Sequence, residues 1–513
     1  MSHLSRMQAG LVTKKYRVMA AGLLIMAQIT PKDNPNNIIC DNPIEETYDF
    51  IIAGGGTAGS VLAARLSEDV NTHVLLLESG GTGTAYTEWP AMTRFVYDTK
   101  KWDWRYKNVR DEGYCFGMKD KVCKLSRGRM LGGQSAFNRM MYVRGNRNDF
   151  DLWKRLGNPG WGYGDVLPYF IRAEDNLDHR LKHSPYHGVG GPMKVSSPGA
   201  TSTVRPGVSL AEGGHPQQIY CKKNLPGVGE NLQSHFGIGG IDFLVARDGM
   251  KGPAKALKNP VYKKQYINKR IGPLASVMGL EGTGFISTSY NNISYGQDWP
   301  DVQFLFFSQH TSTDGYYEAL IYGLSYKSTF RPRSRGKVAL RSRNPWQHPD
   351  IFLNLFDDPH DLAVLREAGQ KAEAIGLSLP FIRAGASAVG EKNRFCYLHP
   401  TGGPDWWDCR ARVFPETLYQ ETSTCKMGPP SDPMAVVDNQ LRVYGISGLR
   451  VVDASIMPTI VSGDASAATV MIAERAADMI RAFWHGIRIG TRDPAGFVEE
   501  TVMNLRGAGR DAA

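Results

Sequence analysis

The run Tyr48-Asp-Phe-Ile-Ile-Ala-Gly-Gly-Gly-Thr-Ala-Gly-Ser60 decides the fold of this chain. Its first half is apolar, as in a buried parallel strand, and its second half has the glycine spacing Gly-x-Gly-x-x-Gly. Such glycines allow a tight turn and let the backbone approach a pyrophosphate at the start of the next helix. A second apolar run, Val74-Leu-Leu-Leu-Glu78, ends on a carboxylate that can bond ribose hydroxyls. The pattern predicts an α/β dinucleotide-binding unit, with a glycine-rich turn that binds nothing as the alternative. The residues that would hold the ligand are Gly54, Gly56, Gly59 and Glu78.

A second glycine-rich run favours FAD over NAD as the ligand. It reads Ser126-Arg-Gly-Arg-Met-Leu-Gly-Gly-Gln-Ser-Ala-Phe-Asn-Arg-Met-Met-Tyr-Val-Arg-Gly-Asn-Arg-Asn-Asp-Phe-Asp151 and resembles the first signature of the glucose-methanol-choline (GMC) flavoprotein oxidoreductases. Its glycine pair removes side chains where backbone must approach a ligand, and its arginine offers charge to phosphate. A basic surface loop is the alternative. Arg139 departs from the pattern, because the family usually has glycine there. The resemblance implies FAD contacts from Arg127, Gly132, Gly133 and Asn138, and Ser135 adds a short hydrogen-bonding side chain.

Motifs near the C-terminus resemble the closing flavin-binding segment of the same family. Thr424-Cys-Lys-Met-Gly428 precedes a run from Leu441 to Pro458, and a segment from Ala473 to Ile480 follows as a helix. In the family a strand in this region ends at an acidic residue close to the FAD. That residue would be Asp453 here, with an ordinary turn aspartate as the alternative.

The resemblance implies a fold class and a domain plan. The fold class is α/β, with an FAD-binding Rossmann-like domain of the GMC type and a second, α+β substrate domain built on an antiparallel sheet. The segments 301–307 and 336–342 read as strands of that sheet, and apolar residues at helical spacing from Asp361 predict a helix packed on it, although Gly369 interrupts the pattern. The boundaries are a leader at 1–45, the FAD-binding domain at 46–245 and 421–485, the substrate domain at 246–420 and a tail at 486–513.

Alcohol oxidation by a flavoprotein needs a base that takes the hydroxyl proton while hydride leaves for the flavin. In the family this base is a histidine shortly before the Cys-Lys-Met-Gly run, and the matching residue here is Gln420. An amide can bond a substrate oxygen but cannot carry off its proton. The second catalytic position, usually His or Asn, is Asp464, a carboxylate that can act as base if burial raises its pKa. The alternative is that both are merely polar loop residues.

One part of the family pattern is missing. After Met193-Lys-Val-Ser-Ser-Pro198 the family runs through a sizeable segment to a second signature, Gly-Ala-x-x-Ser-Pro-x-Leu-Leu, whereas this chain soon reaches Leu225-Pro-Gly-Val-Gly-Glu-Asn-Leu-Gln-Ser-His235. An internal deletion near 200–225 predicts exposed apolar surface and free strand edges. A truncated isoform, a faulty gene model or another element that covers the gap would each explain it.

Three functions are therefore open. The motifs favour an FAD-dependent oxidoreductase that acts on the CH–OH group of an alcohol or sugar and passes electrons to an acceptor. Gln420, Asp464 and the deletion favour a catalytically impaired relative that binds FAD or a small ligand without turnover. A nicotinamide enzyme is disfavoured by the signature between Arg127 and Asp151.

Composition and charge argue against other classes of protein. The 513 residues, 42% hydrophobic and 21% charged, suit a large globular enzyme, and no apolar run is long enough for an integral membrane span. The net charge is +10, and Lys251–Arg270 holds six lysines and one arginine without an acid. Since no nucleic-acid motif accompanies this stretch, we interpret it as a solvated lid or loop and expect no nucleic-acid partner.

Several features predict secretion. A mostly apolar stretch from Val18 to Ile29 follows basic residues and suits a signal peptide, with a packed helix as the alternative. Asn292-Ile-Ser294 is a possible glycosylation acceptor, and the motifs are most similar to insect glucose dehydrogenase-like members of the family, many of which are secreted. Two cysteine pairs have spacings that a disulfide can bridge, and at least one of the seven cysteines must be free or paired with another chain. The pairs are Cys115 with Cys123 and Cys396 with Cys409.

Overall fold

The computed structural model describes residues 47–83, 85–196, 221–245, 259–277, 280–291, 298–309, 320–383, 386–388 and 395–486. The predicted leader, the glycosylation acceptor at 292–294, most of the predicted deletion site and the tail lie outside the described residues.

Strands and helices alternate in the first part of the described chain, and longer strands follow. The strands are β1 (Phe50–Ala53), β2 (Val74–Leu77), β3 (Tyr106–Lys107), β4 (Lys124–Leu125), β5 (Glu174–Asn176), β6 (Met193–Val195), β7 (Phe236–Val245), β8 (Leu280–Ile286), β9 (Val302–Gln309), β10 (Leu320–Thr329), β11 (Lys337–Ala339), β12 (Asp350–Phe352), β13 (Ala386–Ala388) and β14 (Pro415–Thr417). The α-helices are α1 (Thr57–Leu66), α2 (Ala85–Glu88), α3 (Arg147–Arg155), α4 (Tyr163–Ala173), α5 (Pro260–Lys269), α6 (Pro359–Gly376), α7 (Leu379–Arg383), α8 (Pro404–Val413) and α9 (Ala465–Trp484).

The first glycine motif has the predicted strand–turn–helix arrangement. Strand β1 pairs in parallel with β2, and α1 begins directly after Gly56 and includes Gly59 in its first turn. Within the described residues this sheet has only two strands, and Ile51 and Leu77 are 64% and 38% exposed. A buried parallel sheet normally covers such side chains on both faces. The described residues of this sheet thus have exposed apolar side chains and unpaired strand edges, while the deletion itself stays a prediction.

Helix α9 forms the other wall of this unit and packs against α1 and α4. Its buried Glu474 accepts hydrogen bonds from Arg65 of α1 and from Arg172 of α4, and Arg172 also pairs with Asp478. A buried carboxylate is stable only when it is paired in this way. The network therefore holds the three helices in register.

A six-stranded antiparallel sheet forms the second unit. Its strand order is β13-β7-β10-β9-β8, and β14 also pairs with β7. The strand predicted at 301–307 is confirmed as β9 in this sheet. The strand predicted at 336–342 exists as β11 but pairs with β12 alone, so its assignment to the large sheet is wrong. On the side of β11 away from β12, the backbone of Gly336 and Val338 is hydrogen-bonded to the segment 229–232. This edge of β11 is therefore not available to the large sheet.

The predicted helix after Asp361 is confirmed as α6, which packs on the large sheet. Its start is capped by Asp358, whose carboxylate accepts the backbone N–H of His360 at 2.9 Å. A Cβ at Gly369 would lie 2.5 Å from the Trp407 ring on α8. The glycine that weakened the sequence pattern is thus required for close helix packing.

Both predicted disulfides, Cys115–Cys123 and Cys396–Cys409, are present. Within the stretch Lys251–Arg270, interpreted as a solvated lid or loop, residues Pro260–Lys269 form helix α5, so a loop is wrong there, whereas most of the helix is exposed or half-buried. Tyr266 of this helix is buried against Trp89, and its hydroxyl donates to the backbone carbonyl of Glu88 at 2.8 Å. One aromatic contact therefore anchors a helix that its charges alone would place in solvent.

Candidate active site

The two glycine-rich motifs pack directly on each other. The N–H of Gly132 donates to the carbonyl of Gly55 at 2.7 Å, and a Cβ at Gly133 would lie 2.9 Å from the Gly56 Cα. Gly132 and Gly133 have φ values of +87° and +52°, which glycine adopts more easily than other residues. The close contact fixes the floor of a cavity of about 1340 Å³.

The same cavity lies open at the N-terminus of α1. A Cβ at Gly54 or Gly56 would meet no protein atom within 4 Å, and the backbone of Gly56, with φ of −77°, suits any residue. Protein packing therefore does not explain the missing side chain at Gly56. Helix α1 has no side-chain cap, so its first N–H groups are available to an anion. This geometry fits a ligand pyrophosphate.

Most residues predicted to hold the cofactor line this cavity. They are Gly54, Gly56, Gly59, Arg127, Gly133, Ser135, Asn138 and Asp453. Gly132 lies behind the lining. Glu78 does not line it either, because its oxygens accept the backbone N–H groups of Gly55 and Gly80, each at 2.8 Å. In this structure Glu78 stabilises the glycine turn instead of facing a ribose.

Arg127 has a different partner from the phosphate expected of it. Its guanidinium donates to the carbonyl of Tyr419 at 2.7 Å and to that of Glu421 at 3.1 Å, and it pairs with the Glu421 carboxylate. These carbonyls flank Gln420, and Tyr419 has a φ of +58°, which is unfavourable for a bulky residue. Arg127 therefore holds the loop that carries Gln420.

The two predicted catalytic positions lie side by side. Nε2 of Gln420 donates to Oδ1 of Asp464, and both residues line the cavity. On the far side of the amide, Oε1 of Gln420 lies 2.5 Å from Nδ1 of His235. His235 is fully buried and does not line the cavity. The structure thus contains a hydrogen-bonded chain from His235 through Gln420 to Asp464.

Burial favours the uncharged form of the residue at each end of this hydrogen-bonded chain, Asp464 and His235. Desolvation raises the pKa of Asp464 to about 7, against the nearby charge of Arg139 and the bond from Gln420. Desolvation lowers the pKa of His235 to about 4, although Gln420 and the carbonyls of Phe330 and Val461 oppose this shift. A carboxyl that titrates near neutrality is suited to general acid–base chemistry.

A second buried carboxylate fixes the loop before Asp464. Asp149 accepts the backbone N–H and the hydroxyl of Ser462, both at 2.7 Å, and the indole N–H of Trp299 at 2.8 Å. Asp149 also caps α3 by accepting the N–H of Asn146. Through these bonds Asp149, which belongs to the signature from Ser126 to Asp151, fixes Ser462, 313 positions later in the chain and shortly before Asp464.

Comparison with known proteins gives the site a family. Two family models, both described as GMC oxidoreductase, match residues 48–215 and 332–473. An oxygen-dependent choline dehydrogenase from Xanthomonas axonopodis pv. citri is 30% identical over 85% of this chain and 96% of that protein. This chain belongs to the GMC oxidoreductase family. A glucose dehydrogenase [FAD, quinone] from Drosophila melanogaster is 29% identical over 85% of the chain and 87% of that protein.

The fold agrees with that of solved GMC-type structures. Formate oxidase from Aspergillus oryzae superposes with a TM-score of 0.70 at 21% identity, over 86% of this chain and 99% of that one. The alignment with the fly glucose dehydrogenase spans 555 residues, more than the 513 of this chain, while using 85% of it. The relative therefore carries residues that this GMC chain lacks, in agreement with an internal deletion.

Two further properties concern the described residues only. Their helices include none that is both long and apolar enough to cross a membrane. Their His, Cys, Asp and Glu side chains form no group that could hold a metal ion.

Sequence reasoning missed His235 and the roles of Arg127 and Asp149. His235 ends the run Leu225–His235, which the motif comparison used only as a landmark. Its position follows from pairing: the N–H of Leu418 donates to its carbonyl at 3.2 Å, and Thr422 bonds reciprocally with Gln233. No local pattern encodes that pairing.

Proposed function

We propose that this GMC oxidoreductase binds FAD in the cavity and oxidises the CH–OH group of an alcohol or sugar. The observation that carries the proposal is the single cavity that joins an uncapped helix N-terminus, two glycine motifs and the Gln420–Asp464 pair. Removal of hydride from an alcohol requires a cofactor that accepts the hydride and an acid–base group that takes the proton, and one cavity must hold both. The names of the relatives from fly and Xanthomonas support the substrate class and FAD.

The nucleotide part of the cavity fits FAD. The open space at Gly54 and Gly56, together with the N–H groups at the start of α1, can take the pyrophosphate. Ser135 and Asn138 line the next part of the cavity, close to Gly133. FAD, when bound, supplies the acceptor for the hydride that leaves the substrate carbon. The domain boundaries inferred from the sequence stay a prediction, and β7, which they assign to the FAD-binding domain, pairs within the antiparallel sheet instead.

Asp464 is the proposed base. Its Oδ1 is held by Gln420, while its Oδ2 is buried without a hydrogen-bond partner among the residues that the structure describes. The O–H bond of the substrate breaks as its proton passes to Oδ2, the released electron pair on oxygen forms the C=O bond, and the C–H bond breaks as its electron pair leaves with the hydride. Gln420 cannot take the proton and therefore orients the carboxyl group.

A second candidate is a relative that binds a ligand without turnover. The two-stranded β1–β2 sheet, with Ile51 exposed, favours it because a missing sheet edge loosens the support of the cofactor. The names of the relatives mention quinone and oxygen, which makes both of them candidate electron acceptors to include in an assay.

One experiment separates the candidates. The purified chain is supplemented with FAD, freed of excess, and mixed without oxygen with a panel of sugars and small alcohols. Bleaching of the yellow flavin by one of them supports the oxidoreductase. Retained colour without bleaching supports the silent relative, and folded protein that stays colourless contradicts both.

We further propose that the protein is secreted. The two disulfides support an oxidising compartment, because structural disulfides are rare in reducing ones. Mass mapping of the protein from its native source tests this: a processed N-terminus is expected, and an intact one with free thiols contradicts the proposal.

A further inference from the structure

A buried histidine lies behind the proposed base, in a place where the proposed chemistry does not use it. His235 sits at the start of β7, and its ring packs edge-on against Phe330 with centroids 5.5 Å apart. Its Nδ1 faces Gln420, which separates it from the cavity. The amide of Gln420 is thus the side-chain hydrogen-bond route from His235 to the cavity that the structure shows, while the carbonyls of Phe330 and Val461 also lie near the ring.

The chemistry of the amide fixes the direction of the hydrogen bonds. When Asp464 is ionised it can only accept, so the NH₂ group of Gln420 must face it. The amide oxygen then faces His235, whose Nδ1 must carry a proton to donate to it. Without a donor at His235, Oε1 would lose the hydrogen bond that the structure shows for it, and the amide could more easily turn this oxygen toward Asp464 whenever that carboxyl group is protonated.

We propose that His235 is a positioning residue, which through Gln420 keeps an N–H on Oδ1 of Asp464 and leaves Oδ2 for the substrate proton. That Oδ2 receives a proton from a substrate rests on the proposed function. The hydrogen bonds from His235 through Gln420 to Asp464 do not depend on it. The other charged group that faces Asp464 is Arg139, which stays in place in every variant considered below.

Loss of the donor has a defined consequence. A hydrogen bond to the ionised form of a carboxyl group lowers its pKa, so a rotated amide raises it. We expect His235→Leu to move the titration midpoint of Asp464 upward by about one pH unit. Asn places a side-chain N–H near the position of Nδ1, so His235→Asn should keep the midpoint close to that of the unmodified chain.

The test measures protonation of Asp464 without using activity. The infrared carbonyl band of the protonated carboxyl is titrated from about pH 5 to about pH 9, with Asp464→Asn as the blank. The variants are His235→Leu, His235→Asn, Gln420→Leu and the double variant His235→Leu/Gln420→Leu. If His235 acts through Gln420, the double variant has the same midpoint as Gln420→Leu alone.

The outcomes separate this inference from the proposed function. An additive shift in the double variant, or equal shifts for Leu and Asn at position 235, overturns the positioning role. If His235→Leu does not fold, Gln420→Leu and His235→Asn still decide, because an unchanged midpoint in Gln420→Leu also overturns it. If the variants show the expected midpoints but no alcohol or sugar reduces the flavin of the unmodified chain, the positioning role is supported and the proposed function is contradicted.

Discussion

The two ends of the cavity differ in how completely the described chain encloses them. At the proton end, Asp464 and His235 are buried, and both have hydrogen-bond partners supplied by other elements. At the nucleotide end, β1 and β2 form a two-stranded sheet, and Ile51 is 64% exposed. The described elements therefore enclose the proton end, whereas the nucleotide end has the exposed strand surface that an internal deletion would leave.

The largest expected effect concerns the burial of Asp464 at the proton end of the cavity. The pKa of Asp464 is raised from 3.8 to about 7 in the folded chain, so the folded state holds a proton that the unfolded state loses. Stability therefore falls as the pH rises from about 4 to 7, and the full loss is present above 7. We expect Asp464→Asn to be more stable than the unmodified chain at pH 8 by on the order of 4 kcal/mol, and equally stable near pH 4. Urea unfolding at both pH values measures this, and a pH-independent difference would contradict it.

His235 should show the opposite dependence on pH. Its pKa falls from 6.5 to about 4 on folding, so the unfolded chain binds more protons between these values and stability is lost as the pH falls. His235→Asn removes this titration. Its free energy of unfolding minus that of the unmodified chain should therefore be higher at pH 4 than at pH 8 by on the order of 3 kcal/mol. Thermal unfolding across this range checks the slope. A variant that follows the unmodified curve would show that His235 is not buried as described.

A matched pair of glycine variants compares packing with ligand binding at the nucleotide end. A Cβ at Gly59 would lie 1.9 Å from the carbonyl oxygen of Gly54, whereas one at Gly56 would meet no protein atom. Gly59→Ala should therefore destabilise the chain by about 2 kcal/mol. Gly56→Ala should keep its stability and bind FAD at least roughly tenfold more weakly, because the methyl group occupies the ligand's space. Unfolding and FAD titration measure the two effects, and equal FAD affinity in Gly56→Ala would contradict the assigned site.

The smallest expected effect concerns the exposed sheet edge. Ile51 is 64% exposed and Ile52 is 9% exposed, although they are neighbours on β1. Ile51→Ser should change the free energy of unfolding by less than about 0.5 kcal/mol, and Ile52→Ala should cost about 2 kcal/mol or more. A large cost at Ile51 would show that another part of the chain covers this face.

The sequence predicts those features that depend on local patterns. The glycine turn before α1, strand β9, helix α6 and both disulfides follow from short spacings, and all are present. The partner of β11, by contrast, depends on which edge is already taken by the segment 229–232. Alternating apolar residues identify a strand but do not choose its neighbour.

The site shows the same division. The cavity brings together Gly56, Gly133, Gln420 and Asp464, as the motifs predicted. The partners of Glu78 and Arg127 were not predictable, because each charged group finds backbone donors or acceptors that only the folded loops present to it. His235 was missed for the same reason, since its contact with Gln420 joins residues 185 positions apart.

The central claim is that Asp464 takes the substrate proton, and flavin reduction tests it most directly. The FAD-loaded chain and its Asp464→Asn variant are mixed without oxygen with the alcohol or sugar that bleaches the flavin, and the rate is followed across pH. We expect the rate of the unmodified chain to rise with pH around a midpoint near 7. We expect Asp464→Asn to be slower by roughly 10²- to 10⁴-fold and to lose this dependence on pH. Equal rates with the same pH profile in both proteins would contradict the assignment of Asp464 as the base.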